Sequence, residues 1–175
     1  MKILAIGGSN SSSSINLKLA NYAASLFTSE STISYDLSSI DLPLFSVDIE
    51  RTDGIHPIAI AFAEEIDRSD LIVISLAENN GSYNAAFKNL MDWTSRIKER
   101  KTWGNKDMLL MATSPGKRGG ATVLEGATAY FPRLGATIVG TFSLPNFYEN
   151  FSDEEGIQNV LLKKELVDLI GTLTD

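Results

Sequence analysis

At 175 residues, with 43% apolar and 21% charged content, the chain has the length of one domain that buries roughly two thirds of its unfolded surface, and its composition is not that of a disordered segment. A formal charge of −7 opposes nucleic-acid binding, which needs clustered Lys and Arg against backbone phosphates, and the absence of cysteine removes disulfides, thiolate chemistry and cysteine-held metals. No apolar run approaches the roughly 20 residues of a membrane span, and no basic segment with a cleavage site precedes the first apolar run, so a cytoplasmic chain away from membranes is expected.

In chain order, the apolar run at residues 2–6 reads as a strand. Gly7-Gly8-Ser9-Asn10-Ser11-Ser12-Ser13-Ser14 then breaks it into a hydroxyl-rich turn that opens a helix over residues 14–27. Free N–H groups at a helix start, the positive end of its dipole and nearby hydroxyls favour an anion, while glycines let the backbone come close to it. The pattern points to a phosphorylated ligand. Strands at 31–36, 71–75, 108–112 and 137–141 alternate with helices at 56–69, 84–98, 120–134 and 153–173, giving β-α repeated five times. Near-continuous apolar strands such as Leu71-Ile72-Val73-Ile74 suit a parallel sheet buried on both faces. The predicted architecture is α/β: a single domain over residues 1–175, folded as a doubly wound three-layer sandwich.

In such a sheet a ligand sits beyond the carboxyl ends of the strands, where strand order reverses. The loops there are the serine turn, then Ala77-Glu78-Asn79-Asn80-Gly81-Ser82-Tyr83, and Thr113-Ser114-Pro115-Gly116-Lys117-Arg118-Gly119-Gly120. Taken singly, Asn-Gly and Pro-Gly are ordinary turn formers. Their joint placement at one sheet edge is what marks a site. Other chemistries lack their residues. The near-match to a hydrolase elbow at Gly7–Ser11 has no closing glycine and no late histidine, no Gly-x-x-x-x-Gly-Lys-Ser/Thr occurs, and the first strand ends without the carboxylates of a metal-dependent receiver. No metal site is expected. His56, the sole histidine, reads as local structure at a helix start, Trp93 and Trp103 as packing residues, and the basic stretch around Arg96, Lys98, Arg100, Lys101 and Lys106 as a solvated helix end complementing the dipole.

Gly8-Ser9, Ser14, Asn16, Leu19 and Ala20, then Glu78, Asn80-Gly81-Ser82, Ala86-Phe87-Lys88-Asn89 and Asp92-Trp93, resemble the motifs of the NADPH-dependent FMN reductase family, which includes quinone, azo-dye and chromate reductases. Asp41-Leu42-Pro43-Leu44-Phe45, Ser114-Pro115-Gly116 and Gly119-Gly120 are similar to further family segments, so the likeness spans about residues 2 to 140. The resemblance implies a flavodoxin-like sheet of order 2-1-3-4-5 and an oxidoreductase in which FMN relays a hydride from NADPH or NADH to a small-molecule acceptor such as a quinone, an azo compound or free flavin. It implies no catalytic side chain, because the chemistry sits on the cofactor. Gly8, Ser9, Ser11, Ser14 and Asn16 would hold the phosphate. Glu78, Asn79, Asn80, Gly81, Ser82 and Tyr83, with Ser114, Pro115, Gly116, Gly119 and Gly120, would border the isoalloxazine. Lys117 and Arg118 would be contacts to the nicotinamide phosphate, or else charges serving solubility. A homodimer or homotetramer is implied, with the helix around 84–96, and Leu90, Met91 and Trp93 on it, either at the interface or in the core. A flavodoxin-type carrier fed by a protein partner is the alternative.

The departures from the family pattern are chemical. Ser11 stands where the family commonly has arginine, and a charge-assisted hydrogen bond to phosphate is worth roughly 1.5 to 3 kcal/mol. A modest FMN affinity is the expectation, with Ser12 and Ser13 as neutral donors in partial compensation. Ala77 and Asn84 replace prolines, and Asn79 replaces a tyrosine, which predicts a more mobile and less aromatic third-strand loop.

Overall fold

The computed structural model describes residues 1–173; the last two residues of the predicted domain, Thr174 and Asp175, lie outside the described residues. Five parallel strands, β1 (Lys2–Gly8), β2 (Ser31–Tyr35), β3 (Leu71–Leu76), β6 (Lys106–Thr113) and β7 (Ala136–Leu144), form one sheet in the order β2-β1-β3-β6-β7. Counting only these long strands, that is the order 2-1-3-4-5 implied by the resemblance. Two hairpins, β4 (Glu78–Asn79) with β5 (Ser82–Tyr83) and β8 (Phe151–Ser152) with β9 (Gly156–Ile157), stand outside the sheet.

Each inner strand divides its side chains between two cores, as period-2 geometry requires. Leu4, Ile6, Ile72, Ile74, Met108 and Leu110 face one side, where they meet α3 (Pro57–Arg68), α4 (Ala85–Thr94) and α5 (Ala121–Tyr130) through Phe62, Ile66, Phe87, Leu90, Val123 and Ala127. Ile3, Ala5, Val73, Leu109 and Met111 face the other, against α1 (Ile15–Ser25) and α7 (Val160–Gly171) through Leu19, Ala20, Ala23, Leu166 and Ile170. β1, β3 and β6 are therefore buried on both faces, which is why they read as unbroken apolar runs. Trp93 and Trp103 are fully buried as expected, and the Trp93 indole N–H also donates to the Pro43 carbonyl at 2.7 Å. His56 caps α3, its Nδ1 accepting from the Ile58 amide at 3.3 Å ahead of Pro57.

Four expectations need correction. The last helix begins at Val160 rather than at residue 153, because the β8–β9 hairpin takes up the preceding residues. Gly156 makes that turn at φ +73°, pressed so closely on the Tyr22 ring that a Cβ would lie 2.0 Å from Cε2, and Asn159 then caps α7 by accepting from Leu161 and Leu162. The helix expected at 84–98 stops at Thr94. The basic stretch after it consequently makes specific contacts instead of complementing a dipole: Arg96 pairs with Glu50 at 2.9 Å, and Arg100 with Asp67 at 2.7 Å. Glu50 lies on α2 (Val47–Asp53), a short helix with no buried residue and so with no apolar stripe to announce it. The fourth helix at 120–134 divides into α5 and a 3₁₀ turn at Phe131–Leu134.

Gly7 shows how tightly α1 sits on the sheet, since a Cβ there would lie 2.6 Å from the Leu17 Cβ and 2.7 Å from its Cα. Gly7→Ala should therefore cost about 1–3 kcal/mol by forcing α1 off β1. Gly126, in the exposed middle of α5, has open space within 4 Å of where a methyl would stand, and Gly126→Ala should gain up to about 1 kcal/mol from helix propensity. Urea denaturation midpoints of the two variants check both signs.

Candidate functional site

The carboxyl ends of β1, β3 and β6 enclose a cleft of about 200 Å³ lined by all three predicted loops. Ser9, Ser11, Ser13 and Ser14 contribute from the first, Ala77, Glu78 and Asn79 from the second, and Thr113, Ser114 and Pro115 from the third. The serine turn is a chain of local bonds. The Ser11 amide donates to Ser9 Oγ at 3.2 Å, the Ser13 amide to Ser11 Oγ at 3.3 Å, and Ser14 Oγ accepts from the Leu17 amide at 3.1 Å as the N-cap of α1. The first-turn amides of Ile15 and Asn16, both at the cleft, have no acceptor within the helix itself. No acidic side chain occupies the first turn of α1, so the positive end of its dipole is not compensated there.

Asn16 is buried, at 2% exposure, and holds the loops together. Its Oδ1 accepts from Ser75 Oγ at 2.7 Å and from the Thr113 amide at 3.1 Å, while its Nδ2 donates to the Thr113 carbonyl at 3.4 Å. Thr113 Oγ1 passes the network on to the Leu144 carbonyl at 2.6 Å. The side chain expected to meet the ligand thus ties α1 to β3 and β6 and, through Thr113, to β7. Glu78 is similarly committed: its carboxylate accepts from the Thr122 and Val123 amides at 3.0 and 3.1 Å, capping α5, whose own N-cap residue Gly120 has no side chain to do so. Asn84 fastens the third-strand loop, donating to Asn79 Oδ1 at 3.1 Å and to Asn10 Oδ1 at 3.2 Å while its own Oδ1 caps α4. Where proline would stiffen the loop covalently, these bonds tether it to the serine turn.

Several predicted residues stand outside the cleft lining for identifiable reasons. Gly8 is the last residue of β1, and it permits the close approach of Leu76, 3.0 Å from where a Cβ would stand. Asn80 and Gly81, both at positive φ, form the two-residue turn of the β4–β5 hairpin, and Ser82 begins its return strand. Tyr83 turns into the core and stacks on Phe131 at 5.9 Å; burial, with Tyr130 as a lesser cause, pushes its phenol pKa up. The Gly116 carbonyl organises the third loop by accepting from the Gly119 and Asn146 amides. Gly119 and Gly120 press on Ser143 and Ala112. Lys117 and Arg118 are exposed and off the lining, with Arg118 donating to Thr122 Oγ1 at 2.8 Å. Tyr148, on α6 (Phe147–Asn150) and 73% exposed, lines the cleft although no motif marks it; the one signal for it is its position after the last strand, on the same sheet edge. No Lys, Arg or His lines the cleft, so what it offers an anion is a dipole, hydroxyls and amides.

A parallel five-stranded sandwich with such a cleft at its switch point is the frame of a nucleotide- or flavin-dependent α/β protein. Comparison with known proteins makes the class particular. Residues 1–149 match the family described as NADPH-dependent FMN reductase. A 2-hydroxy-1,4-benzoquinone reductase of Burkholderia sp is 35% identical over 134 residues, covering 74% of this chain and 71% of the relative. An NADPH:quinone oxidoreductase of Arabidopsis thaliana is 32% identical over 123 residues, with 69% and 61% covered, and the quinone reductase of Escherichia coli K12 is 36% identical over 84 residues, so that the match spans 44% of the latter's length. Among solved structures, the flavoenzyme NAD(P)H:(acceptor) oxidoreductase of Paracoccus denitrificans superposes with a TM-score of 0.76 at 21% identity, covering 98% of this chain and 93% of that one. The chain belongs to the NADPH-dependent FMN reductase family, and is an oxidoreductase whose cofactors are FMN and a reduced nicotinamide nucleotide.

Asn16→Ala should cost about 2–4 kcal/mol, because it strands the Ser75 hydroxyl and both backbone groups of Thr113 in the interior. Thermal and urea unfolding would show that loss.

Proposed function

We propose that the cleft holds FMN with its phosphate over the start of α1 and that the chain carries two electrons from NADPH or NADH to a quinone-like acceptor. The observation that carries this reading is the convergence of the serine turn, Ala77–Asn79 and Thr113–Pro115 on the uncompensated N-terminus of α1. The lining fits the group: Ser9, Ser11 and Ser13 supply hydroxyls, Ile15 and Asn16 supply amides, and the peptide groups of Ala77–Asn79 and Thr113–Pro115 border the space beyond for a polar ring edge. When bound, FMN supplies the hydride chemistry, and the balance is NAD(P)H + H⁺ + quinone → NAD(P)⁺ + hydroquinone. The quinone class is taken from the relatives' names, and azo compounds and free flavin are further acceptors of the same reading. A cytoplasmic location accords with the lack, among the described residues, of any helix long and apolar enough to cross a membrane.

A homodimer or homotetramer is part of the reading by resemblance. Leu90, Met91 and Trp93 contribute nothing to it, at 1%, 4% and 0% exposure in the chain's own core. Light scattering tests the assembly.

Titration of FMN, followed by quenching of its fluorescence, should saturate, and anaerobic NADPH should then bleach the bound flavin until a quinone restores it. Bleaching that required an added protein would instead favour a flavodoxin-type carrier. Ser11→Arg should tighten FMN about tenfold or more while leaving riboflavin unchanged, since only the phosphate gains a charged donor. Binding curves for the two flavins read this directly.

A further inference from the structure

A second cavity of about 270 Å³ opens beside the cleft, between the segment that follows β2 and the start of α4. The two are neighbours through one amide: Asn10 lines the cavity, Asn79 lines the cleft, and the Asn84 Nδ2 donates to both of their side-chain oxygens. Leu37, Ala86 and Leu90 give it an apolar interior, and Leu44, 77% exposed, stands at its lip. Its outer wall is held in place from α4. Asn89 donates to the Leu42 and Pro43 carbonyls and accepts from the Phe45 amide at 2.8 Å, and Trp93 donates to the Pro43 carbonyl. Such a wall is formed before any ligand arrives, which lowers the ordering cost of binding.

The volume, a little under the roughly 300 Å³ at which small-molecule sites begin, leaves room for a single ring. Its one charged lining residue is Asp41, exposed and without an ion pair among the described residues, and no Lys or Arg lines the cavity. A nicotinamide nucleotide's phosphates find no partner there. An uncharged ring does. We propose that this cavity seats the ring of an uncharged quinone-type acceptor, and that Asp41 makes it select against the same ring carrying an acid group. The assignment rests on the flavin reading of the cleft for its place in the reaction, but occupancy of the cavity is measurable without it.

The test is methyl NMR on the full chain, titrated with hydroquinone and, separately, with hydroquinone sulfonate, first without FMN and then with saturating FMN. Hydroquinone should shift the methyls of Leu37, Leu44, Ala86 and Leu90 saturably, and the sulfonate should bind about fivefold more weakly, the effect of one unit charge facing another across water. Asp41→Lys should reverse that preference, and in turnover should shift the ratio of kcat/KM values toward the anionic acceptor. Ala86→Phe, with its fold checked by the untouched methyls of the opposite core, should abolish saturation. Silent methyls, equal affinity for the two rings, or a preference indifferent to Asp41→Lys would each overturn the assignment. If hydroquinone saturates these methyls in a chain that fails to bind FMN, the flavin reading falls and the ring site stands; if FMN binds and the methyls stay silent, the ring site alone falls.

Discussion

Everything at the functional edge is registered by one buried amide. Asn16 leaves the first turn of α1 and satisfies Ser75 on β3 and both backbone groups of Thr113 at the end of β6. A buried polar group that lacks partners is costly, so the network admits essentially one arrangement of these three elements. The loops that continue from them inherit that arrangement. The serine turn, the 77–79 segment and the 113–115 segment therefore face one another across a fixed gap, even though each is rich in small residues that would be pliable alone. Around this centre, Asn84 and Glu78 add two further ties, linking the third-strand loop to the serine turn and to the start of α5.

The sheet was legible because burial on both faces leaves the middles of β1, β3 and β6 apolar, and because period-3.6 segments separate the strands. Where elements are short or solvated, the pattern is silent: α2 has no buried residue, and the β8–β9 hairpin rests on Gly156 meeting the Tyr22 ring, a contact between residues far apart in the chain. The convergence of three loops was likewise readable from topology alone. The division of labour within them was not. Asn16 meets Thr113 across 97 positions and Glu78 meets Val123 across 45, and no local spacing distinguishes a side chain that touches a ligand from one that holds up the loop that does. The glycines of the turn have a packing role that no local pattern announces. At Gly7 and Gly8 the space a side chain would take is filled by Leu17 and Leu76.

A lining without Lys, Arg or His among the described residues changes how an anion is recognised. A guanidinium carries its charge wherever it reaches, whereas a helix dipole acts within the first turn and hydroxyls must be aimed. Ser11 occupies the position at which the family places arginine, and its Oγ is already engaged by the Ser13 amide. On the proposed reading, discrimination between a phosphorylated and an unphosphorylated flavin depends on the geometry of the turn rather than on net charge. With a formal charge of −7 on the whole chain, long-range attraction adds nothing to that geometry.

α1 and α5 both begin at this edge of the sheet, and each start is in principle an anion site. The Glu78 carboxylate already fills the start of α5, taking two of its free amides and opposing any second negative group there. The start of α1 carries no acid. On the proposed reading, a phosphate has one favourable end of the cleft, and the rest of its molecule would lie along the gap between the 77–79 and 113–115 segments. On the reading proposed for the cleft, Glu78 sets the polarity of the ligand by occupying the other helix start.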